Sequence, residues 1–164
     1  MSLNNDVLDT ALHFQTVAPY MPARQADQIE RQLNDHVASM DRHEFGQEEG
    51  EAFYFLAGEL KRLAQRLRDI PDLSERAEIE GESAPICYFN SAGTGYFFVI
   101  ETSDVGGEPR LRGAAFTAGK EGYTIQEVTL RQLHIAGFML DTHFEPRTVA
   151  HCLEDTGTIL PLAS

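Results

Sequence analysis

The hydrophobic pattern of this chain changes its period near Pro85, and that change restricts the chain to a mixed architecture. Before this proline, apolar residues recur every three or four positions, as on one face of a helix. The clearest series is Phe53, Leu56, Leu60, Leu63 and Leu67. After the proline, short runs of aromatic and β-branched residues are typical of strands. The pattern predicts an α+β fold in which a helical region precedes a small antiparallel sheet with one or two short helices.

Residues 1–70 form the helical region, and they are predicted to contain two to three helices. A first helix covers residues 6–14, and Pro19 and Pro22 separate it from a second helix that starts at Ala23. Gly46 ends the second helix, and the third carries the leucine series. Because the second and third helices each have one apolar stripe and a short connection, they are predicted to pack as an antiparallel helical hairpin. The first helix is predicted to place these apolar residues near one face: Val7, Leu8, Ala11, Leu12 and Phe14.

Residues 71–85 are rich in acidic side chains and contain prolines at both ends, which predicts a solvated acidic connector. Residues 86–164 form the predicted α+β module. The sequence leaves open whether these segments fold separately or as one compact domain.

Within the α+β module, turn residues separate the strand-like runs. A hairpin is predicted between residues 86–89 and 96–100, around the glycine-rich turn 90–95. Further elements are predicted in this order: a loop at 104–109, strands at 111–117 and 123–128, a helix at 130–135 capped by Thr129 and ended by Gly137, a strand at 139–144, and a final helix at 148–153. Gly93-Thr94-Gly95 is interpreted as a hairpin turn rather than a phosphate loop, because strand-like residues follow it.

Several groups of residues in this module resemble a known pattern. They are Phe89-Asn90-Ser91-Ala92-Gly93-Thr94-Gly95-Tyr96, Glu101, Gly122-Tyr123, Thr129-Leu130-Arg131-Gln132-Leu133, and Gly137-Phe138-Met139-Leu140-Asp141-Thr142-His143-Phe144. In this order they resemble a bacterial family, domain of unknown function 2958, over residues 86–150. The resemblance implies a small α+β module encoded on plasmids or other mobile elements, and it implies no reaction. Family members commonly carry a tryptophan next to the aromatic residue after the glycine-rich turn, whereas this chain has none.

The formal net charge of −13 argues against direct nucleic acid binding, because such a surface repels phosphates. It favours a basic protein partner, and two interpretations stay open: mimicry of DNA charge, or acidity that only maintains solubility. No apolar run is long enough to span a membrane, and the first residues lack the pattern of a secretory leader. A cytoplasmic location is therefore expected, with Cys87 and Cys152 as buried thiols rather than a disulfide.

The densest group of titratable residues lies near the C-terminus and includes Cys152 beside His143, Glu145, His151, Glu154 and Asp155. It raises the alternative of a small metal-dependent or Cys/His hydrolase, with His143 and His151 as the candidate metal ligands. Neighbours on a helix point about 100° apart, which argues against a contact between His151 and Cys152. No catalytic residue and no cofactor is predicted. His36 and His43, two turns apart, are interpreted as solvated positions on a helix face.

Four residues are predicted to serve interaction: Tyr96, Asp141, His143 and Arg147. Asp141 is expected either to pair with Arg147 or to cap a turn. The leading hypothesis is a non-enzymatic protein-interaction module of a bacterial mobile element, such as an acidic inhibitor of the anti-defence or immunity type. The alternatives are the hydrolase and a structural protein of uncharacterised role. A homodimer through the apolar stripe of the third helix also stays open.

Overall fold

The computed structural model describes residues 3–41, 47–70, 81–90, 94–105, 108–117 and 122–156. The chain divides into two compact units, Met1–Arg68 and Asp69–Ser164. Helices form the first unit, and antiparallel strands with short helices form the second. The predicted α+β fold is therefore confirmed.

The described residues of the first unit form three α-helices. Helix α1 spans Leu3–Val17, α2 spans Ala23–Asp41, and α3 spans Gln47–Asp69. A 3-10 helix, Ala18–Tyr20, follows α1 and carries Pro19 in its first turn. Prolines suit this junction because the first turn of a helix needs no donor from the proline nitrogen.

Helix α3 is the centre of the helical unit. Four members of its predicted apolar stripe are buried, namely Phe53, Leu60, Leu63 and Leu67, whereas Leu56 is only partly buried. The hydroxyl of Tyr54 donates a hydrogen bond of 2.9 Å to Oδ2 of Asp6, which links α3 to α1. The rings of His36 and Phe53 meet edge to face with 6.0 Å between centroids, which links α3 to α2. His36 precedes residues 42–46 in the sequence by about as many positions as Phe53 follows them. A contact between two such positions is expected when α2 and α3 pack as an antiparallel hairpin.

In the part of the second unit that the structure describes, the chain forms seven strands and two helices. The strands are β1 Ser83–Ala84, β2 Ile86–Asn90, β3 Gly95–Val105, β4 Glu108–Thr117, β5 Thr124–Thr129, β6 Phe138–Leu140 and β7 Arg147–Thr148. The helices are α4 Leu130–Ile135 and α5 Val149–Asp155. Five strands form one antiparallel sheet in the order β5-β4-β3-β2-β6, and β1 pairs with β7 in a separate ribbon.

Strand β3 is irregular between Val99 and Glu101, where its register against β4 shifts. Val99 lies opposite Gly113 and Glu101 lies opposite Arg112, so Ile100 is the extra residue of a β-bulge. Such a bulge sets consecutive side chains toward one face of the sheet, and here both Ile100 and Glu101 are buried.

Three predicted boundaries in this unit are wrong. The loop expected at 104–109 is mostly strand, because Asp104 pairs with Pro109 and Val105 pairs with Glu108. The strand expected at 139–144 ends at Leu140, and a turn follows. Ser83 and Ala84, expected in the acidic connector, form β1. Residues 71–80 of that connector, residues 91–93 of the glycine-rich turn, and His43 lie outside the described residues.

One face of the sheet packs against α5 to form a hydrophobic core. Its buried members are Ala84, Cys87, Phe98, Ile100, Ala114, Phe116, Phe144, Val149, Cys152 and Leu153. Thr148 starts α5 by accepting a hydrogen bond from the backbone N–H of His151. Thr129 caps α4 in a reciprocal capping box with Gln132, and Gly137 follows with a φ of +83°, which a glycine adopts readily. These caps fix where α4 and α5 begin, and so they position the side chains of the C-terminal segment.

Candidate functional site

Arg147 connects the predicted C-terminal group to the core. Its Nη1 lies 3.1 Å from Oδ2 of Asp155, and its guanidinium carbon lies 5.3 Å from the centre of the Phe144 ring. The guanidinium also lowers the pKa of the Cys152 thiol, although burial raises it more. Arg147 thus ties β7 to α5 and to the aromatic core, so its contacts account for a structural role.

Asp141 has the second of its two expected roles. Its Oδ1 accepts a hydrogen bond of 3.0 Å from the backbone N–H of His143, and its own carbonyl oxygen accepts one from Phe144. This is a side-chain cap on a tight turn, a geometry that aspartate favours. The partner of Arg147 is Asp155 instead of Asp141.

The two cysteines lie in the same buried core, and burial raises the pKa of both thiols. The pKa of Cys87 is raised well above its ordinary value, and the nearby Asp141 carboxylate adds to the effect of burial. For Cys152, burial raises the pKa more than the Arg147 guanidinium lowers it. Because the thiolate is the nucleophilic form, neither residue is prepared for nucleophilic chemistry.

His151 lies on the solvent side of α5. Its side chain is 61% exposed and its Nε2 is 3.8 Å from Oδ1 of Asp155, whereas Cys152 is fully buried. The angular separation of helix neighbours therefore keeps these two side chains apart, as the sequence indicated. His143 and Glu154 are also exposed. Within the described ranges, no three His, Cys, Asp or Glu side chains come together in a way that could hold a metal ion.

The buried thiols make stability depend on pH in a defined direction. A raised pKa in the folded state favours the protonated thiol, so this stabilising contribution is complete below the unfolded-state value of 9.0. As pH rises from there toward the folded pKa, the unfolded state loses protons first and the free energy of unfolding falls. We expect urea unfolding to show this decline above about pH 9. The Cys87→Ala/Cys152→Ala variant should show a flatter profile, and an equal decline in both proteins would contradict the prediction.

Tyr96 packs as a partly buried core residue. Its ring lies parallel to Phe98, with 5.9 Å between centroids and 2° between planes. It also contacts the ring of Phe116 at 6.3 Å. These aromatic contacts stabilise the sheet, and they leave less of the ring available for a partner than the sequence suggested.

Two large apolar side chains of α1 are exposed to solvent. Leu8 is 60% exposed and Leu12 is 53% exposed, one turn apart on α1. The packed side of α1 instead contains Thr10 and Val17, which are 4% and 0% exposed. We call Leu8 and Leu12 the α1 ridge. The apolar residues predicted to lie near one face of the first helix are therefore not all packed, because Leu8 and Leu12 face solvent.

A signal for this ridge was present in the sequence. Val7, Leu8, Ala11, Leu12 and Phe14 together occupy an arc of about 160°, which is wider than the roughly 100° stripe of a typical packed helix face. One packed face cannot bury a set that wide. The excess side chains remain in solvent, and the polar Thr10 is buried because its hydroxyl donates to the carbonyl oxygen of Asp6 at 2.7 Å.

Two aromatic side chains of α3 are also exposed, Tyr54 by 49% and Phe55 by 59%. The hydrogen bond from the Tyr54 hydroxyl to Asp6 raises the pKa of Tyr54, since it favours the protonated phenol. Tyr54 is therefore held against α1, and its ring adds exposed aromatic surface to the helical unit.

None of the helices in the described part of the chain combines the length and apolarity needed to cross a bilayer. No family model, curated protein or solved structure matches this chain.

Proposed function

We propose that this chain is a protein-binding module whose α1 ridge docks onto an apolar strip of a basic partner protein. The observation that carries the proposal is the exposure of Leu8 and Leu12, more than half each, on the outer side of a helix whose inner side is already packed. Large aliphatic side chains one turn apart are the anchors that helices use in recognition grooves.

A small number of buried anchor residues can supply most of the free energy of binding. Full burial of a leucine contributes roughly 1.5–3 kcal/mol. Two adjacent leucines therefore supply enough free energy to act as the centre of a binding site, provided that the partner surface excludes water around them.

Charge favours a basic partner. The chain carries 26 acidic and 13 basic side chains, and the exposed Asp9 lies beside the ridge on α1. A surface of this sign accelerates the encounter with a positively charged protein and disfavours association with another acidic one.

A more specific form of the proposal is an acidic inhibitor of the anti-defence or immunity type, encoded on a bacterial mobile element and acting in the cytoplasm. It rests on the net charge and on the sequence resemblance over residues 86–150. A basic nuclease is a partner of suitable charge, since its substrate-binding surface must attract phosphates.

The hydrolase alternative has less support. Its thiol, Cys152, is buried with a raised pKa, and the neighbouring histidine, His151, faces solvent. Arg147 and Asp141 have structural partners that explain their positions. A binding function uses the exposed residues instead, and so it is the function that the geometry supports best.

The test compares two single substitutions that add the same charge at exposed apolar positions. Leu8→Glu alters the α1 ridge, and Ile135→Glu alters an 80% exposed residue at the end of α4 in the other unit. We expect Leu8→Glu to weaken partner binding about thirtyfold, as for a central anchor, and Ile135→Glu to leave it unchanged. Affinity capture with both variants and the unaltered protein identifies the partner, and calorimetric titration with that purified partner measures the effect.

Two results would count against the proposal. If both variants and the unaltered protein retain the same proteins with the same affinity, the ridge is not a binding site. If the ridge-dependent partner is acidic, the charge argument fails. Inhibition of a basic nuclease by the unaltered protein, lost in Leu8→Glu, would support the more specific form.

A further inference from the structure

Strand β5 leaves one edge of the five-stranded sheet open. It is the terminal strand in the order β5-β4-β3-β2-β6, and it pairs only with β4 among the described strands. The side chains of residues 124–127 are all exposed, so neither face of β5 is covered at these positions. The opposite edge strand, β6, has only three residues.

This edge lacks the features that usually prevent strands from pairing between molecules. Residues 124–129 contain no proline and no lysine, and their register against β4 is continuous. Only Glu127 carries a charge, and its carboxylate is engaged at 3.4 Å by Arg110. A regular, exposed edge of this kind is a template for another strand.

The β5 sequence is self-complementary in one register. Antiparallel pairing about a two-fold axis through Gln126 places the amides of the two copies of Gln126 opposite each other. The same register places Ile125 opposite the second copy's Glu127, and Thr124 opposite the second copy's Val128. A shift of the axis by one residue would place the two copies of Glu127 opposite each other, which like charges disfavour.

Local charge also permits a second copy at this edge. The chain as a whole is acidic, but the charges near this edge are close to balanced: Arg110 engages Glu127, Arg112 engages the buried Glu101, and α4 adds Arg131. Two copies approaching here therefore avoid the repulsion that their net charges of −13 would create elsewhere.

We infer that β5 pairs with β5 of a second copy, in the register centred on Gln126, to form a continuous ten-stranded sheet. This surface lies in the sheet unit and is independent of the α1 ridge, so it concerns assembly rather than partner choice. A six-residue edge buries less than the roughly 1,200 Å² of a standard interface, so the dimer is weak and exchanges rapidly.

The proposed register determines how a charged residue introduced at position 125 changes the stability of the dimer. Ile125 is 39% exposed, so substitution there leaves the core intact. Ile125→Glu places the new carboxylate of each copy opposite Glu127 of the other copy. We expect the dissociation constant of the dimer to rise about tenfold. Ile125→Lys places an ammonium opposite Glu127, and the dimer should be at least as stable as that of the unaltered protein. Sedimentation velocity at protein concentrations up to about 1 mM measures both, since weak complexes need concentrations near their dissociation constant.

A cross-link tests the two-fold axis directly. Gln126→Cys brings two thiols opposite each other, within the distance that a disulfide spans, and mild oxidation should link the chains rapidly. Thr124→Cys faces Val128 instead and should link much more slowly. A protein that stays monomeric at the highest concentration overturns the inference. So do equal effects of the glutamate and lysine variants, or equal cross-linking at positions 124 and 126.

Discussion

Gly113→Ala is expected to unfold the sheet unit or to destabilise it by at least about 3 kcal/mol. A Cβ atom at Gly113 would lie 1.9 Å from the carbonyl oxygen of Phe98 and 2.8 Å from its carbonyl carbon. Both are backbone atoms, so no change of rotamer can relieve the contact. Strands β3 and β4 would have to separate where Val99 faces Gly113, beside the β-bulge.

The matched control is Gly58→Ala in α3. There the added Cβ would meet only the end of the Arg62 side chain, at 3.7 Å. We expect this variant to gain up to about 1 kcal/mol, because alanine is the better helix former. Urea unfolding and amide hydrogen exchange in β3 and β4 measure the two effects. A Gly113→Ala protein as stable as the unaltered chain would show that the two backbones do not approach so closely.

Parts of the fold whose local sequence pattern agrees with their packing were predictable from the sequence, and parts where the two disagree were not. Helix α3 was predicted correctly because its local spacing and its packing agree along the whole helix. The loop expected at 104–109 was wrong because Pro109 and the adjacent glycines are locally typical of turns. Cross-strand pairing of Asp104 with Pro109 and of Val105 with Glu108 extends the strands into this region, so the long β3–β4 ladder continues almost to its connecting turn.

Among the candidate site residues, local contacts could be predicted from the sequence, and contacts that depend on tertiary packing could not. The turn cap by Asp141 involves residues two positions apart, so local sequence suffices to suggest it. The pairing of Arg147 with Asp155 depends on how α5 packs after β7, whereas the sequence alone offered Asp141 as one possible partner. Likewise, the composition of α1 shows too many apolar residues for one face. Only tertiary packing decides that Thr10 is buried and Leu8 exposed.

The second large expected effect on stability comes from a buried ion pair that contains Arg112. Its Nη1 lies 3.5 Å from Oε2 of Glu101, and the two side chains are only 14% and 2% exposed. We expect Arg112→Met to destabilise the sheet unit by about 3–5 kcal/mol, since the Glu101 carboxylate stays buried without this guanidinium. Urea unfolding measures the change in the free energy of unfolding.

The double variant Glu101→Leu/Arg112→Met should recover most of that loss, because removing both charges leaves no buried ion to compensate. Both side chains make further contacts, so neither single substitution reports on the ion pair alone. The coupling free energy from a double-mutant cycle isolates the pair. Additive effects of the two substitutions would mean that Glu101 and Arg112 stabilise the sheet independently.

Arg110→Met is the control for burial, because it removes an arginine from the same strand that pairs across the sheet at nearly the same distance. Arg110 lies 3.4 Å from Glu127, but these side chains are 58% and 47% exposed. Water solvates both charges when the pair is broken, so the expected cost is below about 1 kcal/mol. If Arg112→Met costs no more than Arg110→Met, then desolvation of Glu101 does not govern the stability of this sheet. In that case the bulge that turns Glu101 inward would be held by backbone pairing alone.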